Sequence, residues 1–213
     1  MARMICGSAG LDEMASTNVT AVIMAGGKSS RMGMDKSFVL VHGRPMIEHI
    51  IERVTGLGDE LIIITNQAER YAYLGLPLFS DIRPGQGPLG GLYTALHYAR
   101  SSHVLVVACD MPWLNRPLLE FMLSLRESAE AIVPRWEKHP EPLHAVYSQT
   151  CREAIQRNLA AGQLKVANFY DQVKVRYLDR ETITRFDPLG RSFANVNTPE
   201  ELAAATLSPN PSP

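Results

Sequence analysis

The chain has 213 residues, of which 46% are apolar and 20% are charged, and its formal net charge is -1. This composition predicts one α/β domain with its own core, and the near-neutral charge excludes a bulk electrostatic attraction to nucleic acid or to a membrane. Three widely spaced cysteines without a CxxC pair indicate neither a disulfide framework nor a zinc site. No apolar run approaches the ~20 residues of a membrane span. We therefore expect a cytoplasmic protein that binds neither nucleic acid nor membranes.

The two ends of the chain differ from its middle. Residues 1–18 contain no apolar core of signal-peptide length, and we expect them to form a disordered extension. Residues 208–213, which read SPNPSP, predict a disordered tail. The intervening residues 19–207 contain no repeat and no linker, so they predict a single domain.

The middle of the chain alternates short apolar runs with amphipathic segments of helical length. Three apolar runs predict buried central strands: Thr20–Met24, Glu60–Thr65 and His103–Ala108. Three segments predict crossover helices: Pro45–Val54, Leu89–Ala99 and Pro117–Ser128. This alternation is typical of βαβ units, so we predict an α/β fold with a mostly parallel sheet and helices on both faces.

The later part of the chain has a looser pattern. The runs Ala131–Pro134, Leu143–Tyr147 and Val173–Leu178 predict strands, the last of them at an edge of the sheet. A helix is predicted between the last two, over Cys151–Ala161. The run from Thr198 to Glu201 has the N-cap, proline and glutamate of a capping box, which predicts a final helix.

The segment Ala25–Lys36 follows the first strand, where open α/β sheets bind ligands at the carboxyl ends of their strands. Three glycines, among them Gly26 and Gly27, let backbone N–H groups approach an anion, while Arg31 and Lys36 add positive charge. The segment therefore predicts a cradle for a triphosphate. The alternative interpretation is a flexible surface loop with solvated charges.

Two common phosphate-binding motifs do not fit this segment. A P-loop would require a glycine where Val22 stands, and the glycines lack the GxG spacing of a dinucleotide fingerprint. Neither a P-loop ATPase nor a dehydrogenase is therefore expected.

Asp110 follows the predicted strand His103–Ala108, so its carboxylate is expected at the carboxyl edge of the sheet, opposite the glycine segment. A carboxylate there can join a hard cation to phosphate oxygens, and magnesium fits this chemistry better than zinc. The alternative interpretation of Asp110 is a helix cap or a turn residue.

Two further segments have the composition of binding loops. Gly85–Gly91 predicts a tight loop that leads into a helix and suits backbone contacts with a ribose or base, although Gly91 could equally allow close packing. Asn195 and Asn197 flank Val196, so in an extended segment both amides lie on one side and could bind a polar heterocycle. Alternatively, the two amides organise the turn before the final helix.

Three other side chains are expected to have no catalytic role. His139 and His144 flank residues 140–142, which read PEP and predict a substrate-binding loop, and we expect both to be solvated. Cys109, beside Asp110, is expected to be a small buried apolar residue.

Taken together, the motifs resemble those of the molybdenum cofactor guanylyltransferases. The glycine segment resembles the pattern (L/M)-x-G-G-x-x-x-R-M-G-x-x-K, and the similarity extends over residues 20–207. Three further runs match in the expected order: Asp81 with Pro84–Gly91, Cys109–Pro112, and Asn195–Glu201. The resemblance implies a three-layer Rossmann-like fold and an enzyme that uses GTP and Mg²⁺ to attach GMP to the terminal phosphate of molybdopterin. It also implies encounters with molybdenum-inserting proteins and molybdoenzyme-specific chaperones.

The resemblance also implies roles for individual residues. Nucleotide contacts are expected at Met24, Ala25, Gly26, Gly27, Lys36, Asp81, Gly90, Gly91 and Asp110. The contact after the second strand falls on Thr65, on Asn66 or on the backbone, because family members vary there. Asp110 is expected to hold magnesium, and Asn195 and Asn197 are expected to face the pterin-containing acceptor.

Catalysis by this arrangement requires no protein nucleophile, because the acceptor phosphate can attack the α-phosphorus directly. We expect Arg31 to stabilise charge on the leaving pyrophosphate and Lys36 to stabilise the α-phosphoryl oxygens, while Asp110 holds the metal.

Two alternatives of different kinds stay open. One is another pyrophosphorylase-type enzyme, such as a CTP-dependent molybdopterin cytidylyltransferase or an enzyme that uses UTP or a sugar phosphate. Gly27 and the NVNTPEE run favour the guanylyl interpretation. The other alternative is a non-catalytic nucleotide-binding regulator, which the presence of Arg31, Lys36 and Asp110 disfavours.

Overall fold

A computed structural model describes residues 16–25, residues 36–196 and Glu201. The described strands, in chain order, are β1 (Val19–Met24), β2 (Leu40–Val41), β3 (Arg44–Pro45), β4 (Glu60–Ile64), β5 (Leu78–Phe79), β6 (His103–Ala108), β7 (Ala131–Trp136), β8 (His139–Pro140), β9 (His144–Ser148) and β10 (Val175–Leu178). The described α-helices are α1 (Met46–Val54), α2 (Ala68–Tyr71), α3 (Gly87–Tyr98), α4 (Arg116–Ser124), α5 (Cys151–Ala160) and α6 (Arg180–Thr184). Short 3₁₀ turns cover Lys36–Phe38, Ala72–Leu74, Arg126–Ser128, Val166–Gln172 and Arg191–Phe193.

The central sheet has the strand order β10-β7-β9-β6-β1-β4-β5, with β8 paired to β7. Strand β1 is parallel to both β4 and β6, and β4 is parallel to β5. Strand β9 is antiparallel to its neighbours β6 and β7. The sheet is therefore mostly parallel, and the carboxyl ends of β1, β4, β5, β6 and β7 lie along one edge.

Two apolar clusters cover the two faces of the sheet. Alternate residues of β1 enter different clusters: Ala21 and Ile23 pack on the side of α1, α4 and α6, whereas Val22 and Met24 pack on the side of α3 and α5. Since successive side chains of a strand point to opposite faces, this division places helices on both sides of the sheet. The predicted three-layer α/β fold is confirmed.

Within residues 16–25 and 36–196, the strands and helices predicted from the sequence are present with small shifts of their ends. The largest difference is at α4, which ends at Ser124 where the pattern predicted helix to Ser128. There the Ser124 and Ser128 hydroxyls donate to the carbonyls of Phe121 and Leu125, each three residues earlier, at 2.6 Å. Such bonds compete with α-helical geometry and accompany the change to a 3₁₀ turn.

The described chain begins against the loop before β4. Ser16 donates to one Asp59 carboxylate oxygen at 2.6 Å, and the Thr17 N–H donates to the other at 2.8 Å. These bonds, that of the Ser16 hydroxyl foremost, lower the pKa of Asp59 to about 2. Residues 16–18, expected to belong to a disordered extension, are thus hydrogen-bonded to the domain. The rest of that extension, the predicted tail and most of the final helix lie outside the described residues.

Candidate active site

Backbone hydrogen bonds join the strand ends at the carboxyl edge. The Ala25 N–H donates to the Ile64 carbonyl at 2.9 Å, and the Cys109 N–H donates to the Met24 carbonyl at 3.2 Å. The Thr65 N–H in turn donates to the end of β5 at 2.9 Å. Three segments predicted to contact a nucleotide, those following β1, β4 and β6, are therefore held side by side.

Asp110 lies directly after β6, half-buried, and Lys36 is near enough to influence its ionisation. Burial raises the pKa of the Asp110 carboxyl, while the positive charge of Lys36 acts in the opposite direction. Because the two residues are 74 positions apart in the chain, the fold itself brings these predicted catalytic groups together.

The segment predicted to face the acceptor also reaches Asp110. The Val196 N–H donates to the Asp110 carbonyl at 3.0 Å, and the neighbouring Asn195 is exposed. This bond places Asn195 beside the segment that carries the predicted metal ligand. Asn197 lies outside the described residues.

Asp81 and Asn66 meet where the ends of β4 and β5 adjoin. The Asn66 carboxamide oxygen accepts from the Asp81 N–H at 2.9 Å. The Asp81 carboxylate accepts from the Arg83 N–H at 3.0 Å and lies 2.8 Å from the Thr94 hydroxyl. Asp81 therefore organises the turn into α3, and Asn66, rather than Thr65, supplies the side chain that holds it. Thr65 is buried, with its hydroxyl accepting from a backbone N–H of the same turn.

The glycines at the start of α3 allow close packing. A Cβ on Gly91 would overlap the terminal methyl of Met24 at the end of β1, and one on Gly90 would lie 2.9 Å from the Gln86 Cβ. Gly91 therefore packs closely against Met24, as the packing interpretation expects, and its contact with the nucleotide stays a prediction. Gly85 and Gly87 have positive φ angles of 81° and 62°, which produce the predicted tight loop.

The structure describes the two ends of the glycine segment, Ala25 and Lys36. Gly26, Gly27 and Arg31 of the glycine segment lie outside the described residues. Its last member, Lys36, begins the 3₁₀ turn Lys36–Phe38 and is described.

The expectation for His144 was wrong, whereas His139 is exposed as expected. His144 is fully buried on β9, opposite Val107 of β6, and its ring centroid lies 4.9 Å from that of Phe193. The solvated interpretation failed because β9 pairs with the central strand β6, which places His144 in the core rather than in the loop before the strand. Cys109, expected to be buried, is half-buried and packs at the margin of the core.

Sequence reasoning assigned no function to Glu141, a half-buried carboxyl between β8 and β9. Burial, reinforced by the negative charge of Glu137, raises the pKa of Glu141 to about 7. Perturbed carboxyls of this kind cluster at functional sites. No local pattern could have found Glu141, because its raised pKa depends on its burial in the folded chain.

The segment that carries Asn195 is anchored to the core. The buried carboxylate of Asp187 accepts from the Ser192 N–H at 2.7 Å and from the Arg191 N–H at 3.1 Å. The ring of Trp136, at the end of β7, stacks on Phe193 with centroids 5.5 Å apart. These contacts hold the segment rigidly as it approaches Asp110.

The described residues contain no group of three or more histidine, cysteine, aspartate or glutamate side chains placed to hold a metal ion. Within the same residues, no helix is long and apolar enough to cross a membrane.

Comparison with known proteins agrees with this geometry. The family model for the MobA-like NTP transferase domain matches residues 21–175. The chain is 39% identical to a probable molybdenum cofactor guanylyltransferase of Pelotomaculum thermopropionicum, with coverage of 88% of this chain and 92% of the relative. It is 36% identical to a molybdenum cofactor guanylyltransferase of Syntrophotalea carbinolica, with coverage of 85% and 88%.

A solved structure shows the same fold. The crystal structure of molybdopterin-guanine dinucleotide biosynthesis protein A from Archaeoglobus fulgidus matches with a TM-score of 0.77 at 27% identity. The match covers 88% of this chain and 96% of that one. The chain therefore belongs to the family of MobA-like NTP transferases, as its motifs predicted.

Proposed function

We propose that this member of the family transfers GMP from GTP to the terminal phosphate of molybdopterin and releases pyrophosphate. The product is the guanine dinucleotide form of the molybdenum cofactor. The proposal is supported by relatives named probable molybdenum cofactor guanylyltransferase, which are 33–39% identical over most of the chain.

The convergence at Asp110 is the structural observation that carries the proposal. Lys36 on the donor side acts electrostatically on the Asp110 carboxyl, and the acceptor-side segment bonds the Asp110 carbonyl through Val196. A transferase that joins two phosphorylated substrates needs donor-side and acceptor-side groups within reach of one point. Asp110 is such a point at the carboxyl edge of the sheet.

The chemistry is a direct displacement at the α-phosphorus of GTP. An oxygen of the acceptor phosphate forms the new bond to phosphorus, and the bond to the bridging oxygen of the β-phosphate breaks. The electron pair leaves with pyrophosphate, so no covalent enzyme intermediate forms. Arg31 neutralises charge on the leaving group and Lys36 binds the α-phosphoryl oxygens, so that positioning and electrostatics supply the catalysis.

Asp110 fits a magnesium ion. Mg²⁺ at nucleotide sites commonly takes one or two carboxylates together with substrate phosphate oxygens. Asp110 offers one carboxylate at the edge where the triphosphate would lie, and burial of that group favours its pairing with a cation. When bound, the ion would supply Lewis-acid stabilisation of phosphate charge.

Nucleotide and acceptor would occupy different parts of the edge. Met24 to Gly27, Asn66, Asp81 and the start of α3 would contact GTP, with Thr65 contributing through its backbone. Asn195 and Asn197 would bind the pterin. In this proposal the enzyme works in the cytoplasm and receives or delivers its acceptor through molybdenum-inserting proteins and molybdoenzyme-specific chaperones.

The test is pyrophosphate release with Mg²⁺ and each of GTP, CTP, ATP and UTP, with and without molybdopterin. Release that requires both GTP and molybdopterin, and that is lost in Asp110→Ala, would support the proposal. Preferential activity with CTP would instead identify a cytidylyltransferase, and tight GTP binding without turnover would identify a regulator. Omission of Mg²⁺ and replacement by Zn²⁺ test the choice of metal.

A further inference from the structure

A buried hydrogen bond joins α2 to the turn that begins at Lys36. The Tyr71 hydroxyl donates to the Ser37 hydroxyl at 2.8 Å, and both residues are fully buried. The two residues are separated by 34 positions, so the bond is a tertiary contact. Burial of two hydroxyls is unfavourable unless they pair, which makes the relative position of the two segments specific.

Ring contacts also join this turn to the end of α2. The Phe38 ring centroid lies 4.9 Å from that of Tyr71, and the guanidinium carbon of Arg70 lies 4.6 Å from the Phe38 ring. The Val39 N–H donates to the Lys36 carbonyl at 3.0 Å, which closes the turn. Two consecutive residues after Lys36 are thus clamped by the last two residues of α2.

We propose that Tyr71 is a positioning residue for Lys36 and acts through Ser37. This inference rests on the proposed function, in which Lys36 binds the triphosphate. A lysine has a long flexible side chain, so the placement of its ammonium depends on how rigidly its backbone is held. The Tyr71 bond holds that backbone where Lys36 acts on Asp110.

The clamp also couples two parts of the nucleotide site. Helix α2 begins two residues after Asn66, which bonds Asp81 beside the start of α3. The six residues from Asn66 to Tyr71 therefore have a predicted nucleotide contact at one end and, at the other, the tyrosine that bonds the residue after Lys36. Displacement of α2 would disturb both.

A purely structural role for the Tyr71 hydroxyl makes a different prediction. Its loss would then lower stability without a specific effect on nucleotide binding. The chain offers a control in Tyr147, which is also fully buried; its hydroxyl donates to the Pro142 carbonyl at 2.8 Å and lies 2.8 Å from the Tyr170 hydroxyl. Tyr147 belongs to the opposite apolar cluster, away from Lys36.

The deciding experiment is a double-mutant cycle on nucleotide affinity. Binding of GTP is measured by calorimetry for the wild type, Tyr71→Phe, Lys36→Ala and the double variant, with Tyr147→Phe as control. We expect Tyr71→Phe to weaken binding about 3- to 10-fold in the wild-type background and less than about 2-fold in the Lys36→Ala background. Tyr147→Phe should lower the melting temperature, because its hydroxyl has two buried partners, and leave the affinity for GTP unchanged.

Equal losses from Tyr71→Phe in both backgrounds, or an equal loss from Tyr147→Phe, would overturn the inference. If Tyr71→Phe does not fold, Ser37→Ala removes the same bond from its other end. If the wild type binds CTP more tightly than GTP, the guanylyl proposal fails and the same cycle is run with CTP. If the wild type binds no nucleoside triphosphate, both proposals fail.

Discussion

Replacement of His144 by leucine should make the folded state less sensitive to acid. Neither ring nitrogen of His144 has a hydrogen-bond partner within the part of the chain that the structure describes. Burial lowers the pKa of His144 from 6.5 to about 4, although the nearby Asp187 carboxylate favours the charged ring. The folded state therefore holds this imidazole neutral at pH values where the unfolded chain protonates it.

The magnitude follows from the difference in pKa. Each pKa unit corresponds to about 1.4 kcal/mol, so protonation of His144 in acid should lower the free energy of unfolding by about 3 kcal/mol. Because the pKa of His144 is lower in the folded state, the unfolded state binds the extra proton, and acid lowers the free energy of unfolding. The wild type should lose this free energy progressively as the pH falls from about 6.5 to about 4.

The assay is urea unfolding of the wild type and His144→Leu at a series of pH values from about 7 to about 4. Other titrating groups contribute equally to both proteins, so the difference between their free energies of unfolding isolates His144. That difference should move by about 3 kcal/mol in favour of the variant across the series. The control is His139→Leu, which replaces an exposed histidine five residues earlier and should leave the profile unchanged. Parallel profiles for the wild type and His144→Leu would refute the reasoning.

Three further predictions concern the site and its supports. Asp110→Asn should lower turnover on the order of 100-fold or more. It should not lower the free energy of unfolding at pH 7, because burial already disfavours the charged carboxyl. A loss of stability in urea would contradict this. Gly190→Ala should destabilise the protein by about 1–3 kcal/mol, since the added Cβ would overlap the Trp136 ring. Gly43→Ala, also at positive φ but with open space around it, should cost less. Equal melting temperatures of the two variants would count against the packing argument. Asn115→Ala should cost about 1–2 kcal/mol, because the Asn115 side chain caps α4; chemical denaturation that detects no change would exclude this cap as a support.

Several features of this protein follow from the sequence alone. The runs that form β1, β4 and β6 are short, apolar and of strand length, and the segments that form α1 and α3 are apolar over helical lengths with a proline near the start. Their type and order could therefore be predicted without tertiary information. The family could be predicted as well, because its motifs are short, local and ordered along the chain. The short elements β5, α2 and the β2–β3 hairpin have too few residues to show a period.

Only the tertiary structure decided which side chains are buried and which distant residues meet. His144 is a polar residue near the start of a strand, next to a predicted loop, yet pairing of β9 with β6 buries it. The Val196 bond to Asp110 and the Tyr71 bond to Ser37 join residues far apart in the chain, and neither leaves a local pattern. Periodicity reports how a segment folds on itself, whereas burial and long-range bonding depend on what the rest of the chain places against it.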